Sequence, residues 1–253
     1  TFTDTGRIAG DNGIEAWERW RAGARLGDVT APAKRGERTV AIDAAAAGSL
    51  KPGQLVLMTW ANPADHSLLL HMAGHPLMET YDWKGKAGGL TRQAVWTWPV
   101  EIEAVADGTA TLRQPLRIDI RPEWTVGFHA VAGVLTGAGI EKLTIAMTGR
   151  KPVPHLADPG FNGVYLNRCT HCFVRDVTIR DCDNGVIHAA AKNTTVTGLR
   201  MEGGQHHHAT ALRVGSHDNL ITDFVIASQP KHGINTENLS TGNVWRRGTM
   251  QHG

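Results

Sequence analysis

The chain is poor in cysteine, in tyrosine and phenylalanine, in long apolar runs, and in any excess of one charge. Its three cysteines, Cys169, Cys172 and Cys182, are an odd number crowded into 14 residues, so no disulfide framework is expected. At 253 residues none is needed, because a chain of this length can bury a stabilising core. No uninterrupted apolar run approaches the ~18 residues of a bilayer-spanning helix. With 26 Lys and Arg against 24 Asp and Glu, the net charge is +2, which gives no general electrostatic footprint for nucleic acid. Only 2 Tyr and 5 Phe stand beside 29 Gly and 11 Pro, a balance that favours short strands and tight corners. The chain opens on Thr1 without a charged-then-apolar leader and stops at Gly253 after strand-like sequence. It is therefore expected to be part of a longer protein, with segments missing at both ends or a homo-oligomeric partner covering the open end.

One stretch near the start reads as helical: Ile14, Trp17 and Leu26 among Glu15, Glu18, Arg19, Arg21 and Arg25, closed by Gly27. Residues 1–36 are read as an N-terminal segment. From 37 to 124 the reading is a small β module, with short runs at Thr39–Ile42 and Gln54–Met58. Val100–Val105, Asp107-Gly108 and Thr109–Leu112 predict a hairpin whose Asp-Gly turn takes positive φ. Residues 61–94 lack periodicity and are expected to be a long irregular loop holding His66, His71, His75, Tyr81 and Trp83. The three histidines are spaced loosely for a metal, and Tyr81 and Trp83 suit stacking on sugar faces.

The second half repeats. Ala138–Ile145, Cys172–Ile179, Thr194–Met201, Asn219–Ile226 and Asn243–Met250 carry large apolar residues at their third, sixth and eighth places, Gly248 excepted. Their starts are 34, 22, 25 and 24 residues apart. A second strand beginning at Asn162, Asn184, His208 or His232 precedes each of the last four. Two short strands per ~20–30 residues describe the coils of a solenoid, because strands this short bury their apolar face only by stacking. No helix follows each strand and no leucine-rich pattern occurs, which leaves an all-β, right-handed parallel β-helix over residues 125–253.

With its Asn-Gly-Val and Val-Arg-Asp-Val-Thr-Ile phrases, the repeat from Gly137 to Gly253 resembles the pectate-lyase-like parallel β-helix superfamily. Leu50-Lys-Pro-Gly-Gln-Leu-Val56, Leu112-Arg-Gln-Pro-Leu116 and Arg121-Pro-Glu-Trp124 look like the small β module of some secreted members. A Gly-Ala start followed by Asp-Asp-Thr, frequent in such enzymes, is absent. The resemblance implies a secreted or periplasmic carbohydrate-active protein.

Equivalent residues of stacked coils lie about 4.8 Å apart, so the alignment maps surface columns. Asn162, Asn184, His208 and His232 form one corner column, with Asn235 and an Arg213–Glu237 pair further along the same outward strand face. The loops Gln205-His206-His207-His208, Gln229-Pro-Lys231-His232 and Arg180-Asp181-Cys182-Asp183 feed this region. Asn at such corners suits a ladder that satisfies backbone groups, whereas histidine there points to proton transfer or ligation. The resemblance implies β-elimination on a uronate-containing polysaccharide. His208, His232 and Lys231 are then the candidate acid and bases, and Arg213 holds the uronate carboxylate. His207, Asn235, Glu237, Asp181, Asp183 and Trp83 are candidate substrate contacts. Calcium neutralises the carboxylate in some similar lyases, and Asp181, Asp183 and Glu237 offer oxygen ligands.

The alternatives are a polygalacturonase-like glycoside hydrolase and a non-catalytic glycan-binding β-helix. The Asp181-Cys-Asp183 and Lys231-His232-Gly233 phrases resemble the hydrolase pattern, although Lys231 stands where glycine is usual and no Arg-Ile-Lys follows. Ser216-His217-Asp218-Asn219 reads as a turn rather than a triad, and the Cys169–Cys172 pair as packed thiols rather than a zinc site.

Overall fold

The computed structural model describes residues 19–74, 95–148, 151, 154, 157–204 and 207–251. The expected Ile14–Trp17 turn, His75, Tyr81 and Trp83 lie outside these residues. The chain divides into two compact units, Trp20–Ala132 and Gly133–Gly253 together with Thr1–Arg19.

In the first unit, β1 (Ala22–Asp28), β2 (Thr39–Ala41), α1 (Ala44–Ser49), β3 (Leu55–Ala61), α2 (Ser67–Ala73), β4 (Val95–Ala106), β5 (Thr109–Leu112) and β6 (Val126–Val131) follow in order. The strands pair antiparallel as β1-β6-β3-β4-β5-β2, and a Val29–Ile42 bridge links the two edges. Trp60, Trp98, Phe128, Leu57, Ile102 and Leu112 fill the interior. The Asp107-Gly108 hairpin forms as expected, with φ of 48° and 69°, both in the region a primed two-residue turn needs.

Three local expectations fail here. Ala22–Leu26, the last part of the stretch read as helical, lies instead in β1, paired with β6; Ala, Arg and Leu tolerate either state, and sheet pairing decides between them. Val126–Val131, assigned to the coils beginning at residue 125, pairs with β1 and β3. Within 61–94, Ser67–Ala73 is helical, and α1 has no counterpart in the sequence pattern because a run of four alanines carries no apolar periodicity. Asp43 caps α1, its Oδ1 accepting from Ala46 N at 2.7 Å.

The second unit is a parallel β-helix. Its strands are β7 (Leu135–Thr136), β8 (Gly139–Ala146), β9 (Asn162–Thr170), β10 (Phe173–Arg180), β11 (Asn184–Lys192), β12 (Thr195–Thr197), β13 (Arg200–Glu202), β14 (His208–Arg213), β15 (Leu220–Ile226), β16 (His232–Thr236) and β17 (Val244–Met250). One sheet stacks β7-β9-β11-β14-β16, and the other stacks β8, β10, β12 with β13, β15 and β17. All the pairings are parallel and in the register of the sequence alignment.

Backbone handedness explains the third-sixth-eighth spacing. The fifth repeat place is Lys142, Asp176, Gly198, Asp223 and Arg247, with φ of 54°, 52°, 66°, 55° and 50°. Each repeat is therefore two extended segments joined at a left-handed corner, which adds one residue to the period of two and keeps both segments facing the core. The first strands bend likewise at Arg168, Ala190, Val214 and Asn238. Apolar residues of all three places meet in one cluster, among them Val174, Val177, Ile179, Ile221, Phe224 and Ile226. Gly248 breaks the pattern because a side chain there would occupy the Phe224 ring, its partner one coil away.

The Asn-Gly-Val phrase has a steric origin as well. A Cβ on Gly163 would lie 2.6 Å from Gly185 O and 2.8 Å from Ile179 Cδ1, and one on Gly185 would overlap Ala209 O and Met201 Cε. Ile179, Met201 and Met250, each the eighth-place residue of its repeat, fill the space that a side chain at Gly163, Gly185 and Gly233 would need. Gly185→Ala is expected to cost about 1–3 kcal/mol through overpacking. Gly48→Ala, in α1 with open space around it, should instead stabilise by about 0.5–1 kcal/mol. Urea unfolding followed by circular dichroism reads both; equal effects at the two sites would refute the packing account.

Candidate functional site

Asn162, Asn184, His208 and His232 are in register across β9, β11, β14 and β16, as the alignment requires. Two kinds of chemistry share the column. Asn184 Nδ2 donates to Asn162 Oδ1 at 2.8 Å, so Asn184 Oδ1 faces the next coil. There it accepts from His208 N at 3.3 Å and lies 3.1 Å from His208 Nδ1. An amide oxygen only accepts, so His208 Nδ1 carries a proton, and in the neutral ring the lone pair is on Nε2.

His207 joins the same corner. Its backbone N–H donates to Asp183 O at 2.5 Å, and its carbonyl accepts from His232 N at 2.7 Å. Its Nδ1 lies 2.7 Å from Asp158 Oδ2, a partner that places a proton on Nδ1 and, in the neutral ring, the lone pair on Nε2. The rings of His207, His208 and His232 stack with centroids 4.3, 4.8 and 5.3 Å apart. His232 is exposed, and the other two are half-buried.

Asp158 was not foreseen from the sequence. It sits in the connection that makes the first repeat spacing 34 residues rather than 22 to 25. Such an insertion marks a loop on one face of a solenoid, and that was the available signal.

The other candidates scatter. Arg213 Nε approaches Glu237 Oε1 at 3.5 Å, but Arg213 lies five residues along β14 from His208, about 16 Å at strand rise. One uronate ring cannot reach from one to the other, so Arg213 does not hold the carboxylate of a sugar deprotonated at His208. Asn235 is half-buried, one coil from the buried Ala211. The outward positions Ile187 and Ala189 are also buried, so the strand face between the ends is not open surface.

Asp183 does not reach solvent. It is fully buried, and its Oδ2 accepts from Gly160 N and Phe161 N at 3.0 and 2.8 Å, anchoring the long connection. Asp181 takes a left-handed corner with φ 55°, and its Oδ1 accepts from Gly204 N at 2.8 Å. With Glu237 these carboxylates do not converge as calcium ligands; among the described residues, the three-donor group is His207, His208 and His232. Lys231 is exposed beside His232. Trp83 and His206 lie outside the described residues.

The remaining motifs are structural. Ser216 Oγ donates to Arg213 O at 2.7 Å, and His217 Nδ1 accepts from Thr241 N at 3.1 Å. Asn219 and Asn243 form a second ladder, Asn219 Nδ2 donating to Asn243 Oδ1 at 2.9 Å. Cys169 and Cys172 pack with Ala191, while Cys182 belongs to the main core; burial and the neighbouring Cys172 push the Cys169 thiol pKa up. His66 approaches Asn62 and His71 approaches Arg121, so neither faces a shared metal position.

The fold places the chain among parallel β-solenoids with an accessory barrel. No family model and no curated protein matches it. Among solved structures it is similar to the tailspike protein gp49 of Pseudomonas phage LKA1, at 14% identity and TM-score 0.39, covering 92% of this chain and 46% of that one. It is also similar to the Gp54 tailspike of Acinetobacter baumannii bacteriophage AP22, determined in complex with A. baumannii capsular saccharide, at 10% identity and TM-score 0.42 over 88% of this chain and 45% of that one. A third is the tailspike gp61 of Pseudomonas phage phi297, at 10% and 0.38 over 90% and 33%. The chain thus spans less than half the length of each. No helix among the described residues is long and apolar enough to cross a membrane.

Proposed function

We propose that the chain acts on an acidic, uronate-containing polysaccharide, outside the cell or in its envelope, as a lyase working by β-elimination. The observation that carries this reading is the corner where His207, His208 and His232 stack, with two rings held in one tautomer by Asp158 and Asn184. A lyase must take the proton at C5 and return one to the leaving oxygen. Imidazoles with a fixed Nδ1–H and an Nε2 lone pair are equipped for that exchange, and Lys231 is a further base beside them. Hydrolysis is the weaker alternative, because it needs two carboxylates facing the glycosidic bond and Asp183 is buried under backbone donors.

The test is incubation with uronate-containing polysaccharides, following absorbance near 235 nm and reducing ends together. Unsaturated product supports the lyase reading. Reducing ends without it mean a hydrolase, and retention on a glycan column with neither means a binding module. Activity should fall in both His208→Ala and His232→Ala; if both variants kept full activity, the column would not be the site.

A further inference from the structure

The three stacked imidazoles have a second chemistry. One ring nitrogen from each of His207, His208 and His232 lies within 4.8 Å of the other two. A tetrahedral zinc with Zn–N near 2.05 Å needs donors about 3.4 Å apart. The donors must therefore draw together by up to about 1.4 Å, and His232, exposed at the start of β16, is the ring with most room to turn.

The surroundings match what a metal site requires. Metal-bound histidines characteristically donate their other N–H to a carboxylate or carbonyl, which fixes the tautomer and raises ligand basicity. Here Asp158 Oδ2 takes the Nδ1 proton of His207 at 2.7 Å. Asn184 Oδ1 takes that of His208 at 3.1 Å and is itself oriented by Asn162. The asparagine ladder of the lower coils thus ends as the outer support of the histidines above it. A ladder that served the backbone alone would not require a carboxylate to be delivered from the long connection before β9.

We propose that His207, His208 and His232 bind one divalent transition-metal ion, with zinc as the reference ion. Three neutral nitrogen donors suit zinc, whereas calcium and magnesium demand oxygen. Three protein ligands also leave a fourth position for water or a substrate oxygen. Binding requires no glycan, so the inference stands whether or not the polysaccharide reading holds. Metal loading and proton transfer by these rings are alternative states of one corner, because both use the same lone pairs.

The experiment is calorimetric titration of the full chain, stripped with chelator and dialysed, with zinc chloride, and with calcium chloride as the comparison. One equivalent of zinc should bind with micromolar or tighter Kd, with no heat from calcium. His207→Ala, His208→Ala and His232→Ala should each weaken zinc at least about 100-fold, and Asp158→Asn about 10–100-fold through the outer contact. Circular dichroism confirms that each variant is folded; a variant that fails to fold is replaced by the corresponding Gln substitution. Absence of zinc binding to the wild-type chain, or undiminished binding in folded His208 and His232 variants, overturns the proposal.

Discussion

Replacing Lys192 by alanine is expected to destabilise the β-helix by about 3–5 kcal/mol, the usual cost of leaving a buried charge without its partner. Lys192 ends β11, and its side chain is fully buried. Its Nζ lies 2.5 Å from Asp218 Oδ2, one coil further on, and that carboxylate is only 8% exposed. Asp218→Asn should be nearly as costly. It keeps a residue that tolerates the left-handed φ of 58° found there but leaves the ammonium ion facing a neutral amide. Lys192→Met combined with Asp218→Asn should recover most of the loss, because no buried charge is then unpaired. Urea unfolding monitored by circular dichroism measures all three. A cost below about 1 kcal/mol for Lys192→Ala would mean that the pair behaves as an exposed one.

The second large effect concerns pH. His188 lies in β11 between Leu166 and Leu212 of the adjoining coils and is fully buried. Burial pushes its pKa down to about 4, the Ala211 backbone offsetting only part of the shift. The folded state thus resists protonation, whereas the unfolded chain takes up a proton near pH 6.5. The stability linked to this residue is complete above pH 6.5 and is lost as pH falls through 4, a change of about 3 kcal/mol. His188→Leu, matching its neighbours, should remove that part of the acid sensitivity and be neutral or stabilising at pH 7. The informative quantity is the difference between wild type and variant across the pH series, since other groups titrate in both. Parallel curves would show that His188 does not titrate with unfolding.

Much of the solenoid was legible because its signal is periodic. Val174, Val177 and Ile179 recur in Val196, Leu199 and Met201 and again in Ile221, Phe224 and Ile226, and parallel stacking turns that spacing directly into register. The corner column of Asn162, Asn184, His208 and His232 was readable for the same reason. The left-handed corner at the fifth place was only partly signalled, since Asp176, Gly198 and Asp223 are types that favour positive φ whereas Lys142 and Arg247 are not. For Lys142 and Arg247 the hydrogen-bonded adjoining coil holds the corner there. The barrel was less legible still: β1 and β6 are distant in sequence, and antiparallel pairing leaves no repeat to align.

The candidate site divides along the same line. Stacking alone put His208 over Asn184 and under His232, so the sequence determined that these residues share a corner. It did not determine their company. Asp158 arrives from an insertion whose path no periodicity encodes, Asp183 turns inward to anchor that insertion, and Arg213 lies a strand length from the histidines. A repeat specifies position along the stack, which is a local and additive property. Which loop folds over which corner depends on hydrogen bonds between residues far apart in the chain, and only the tertiary structure brings those together.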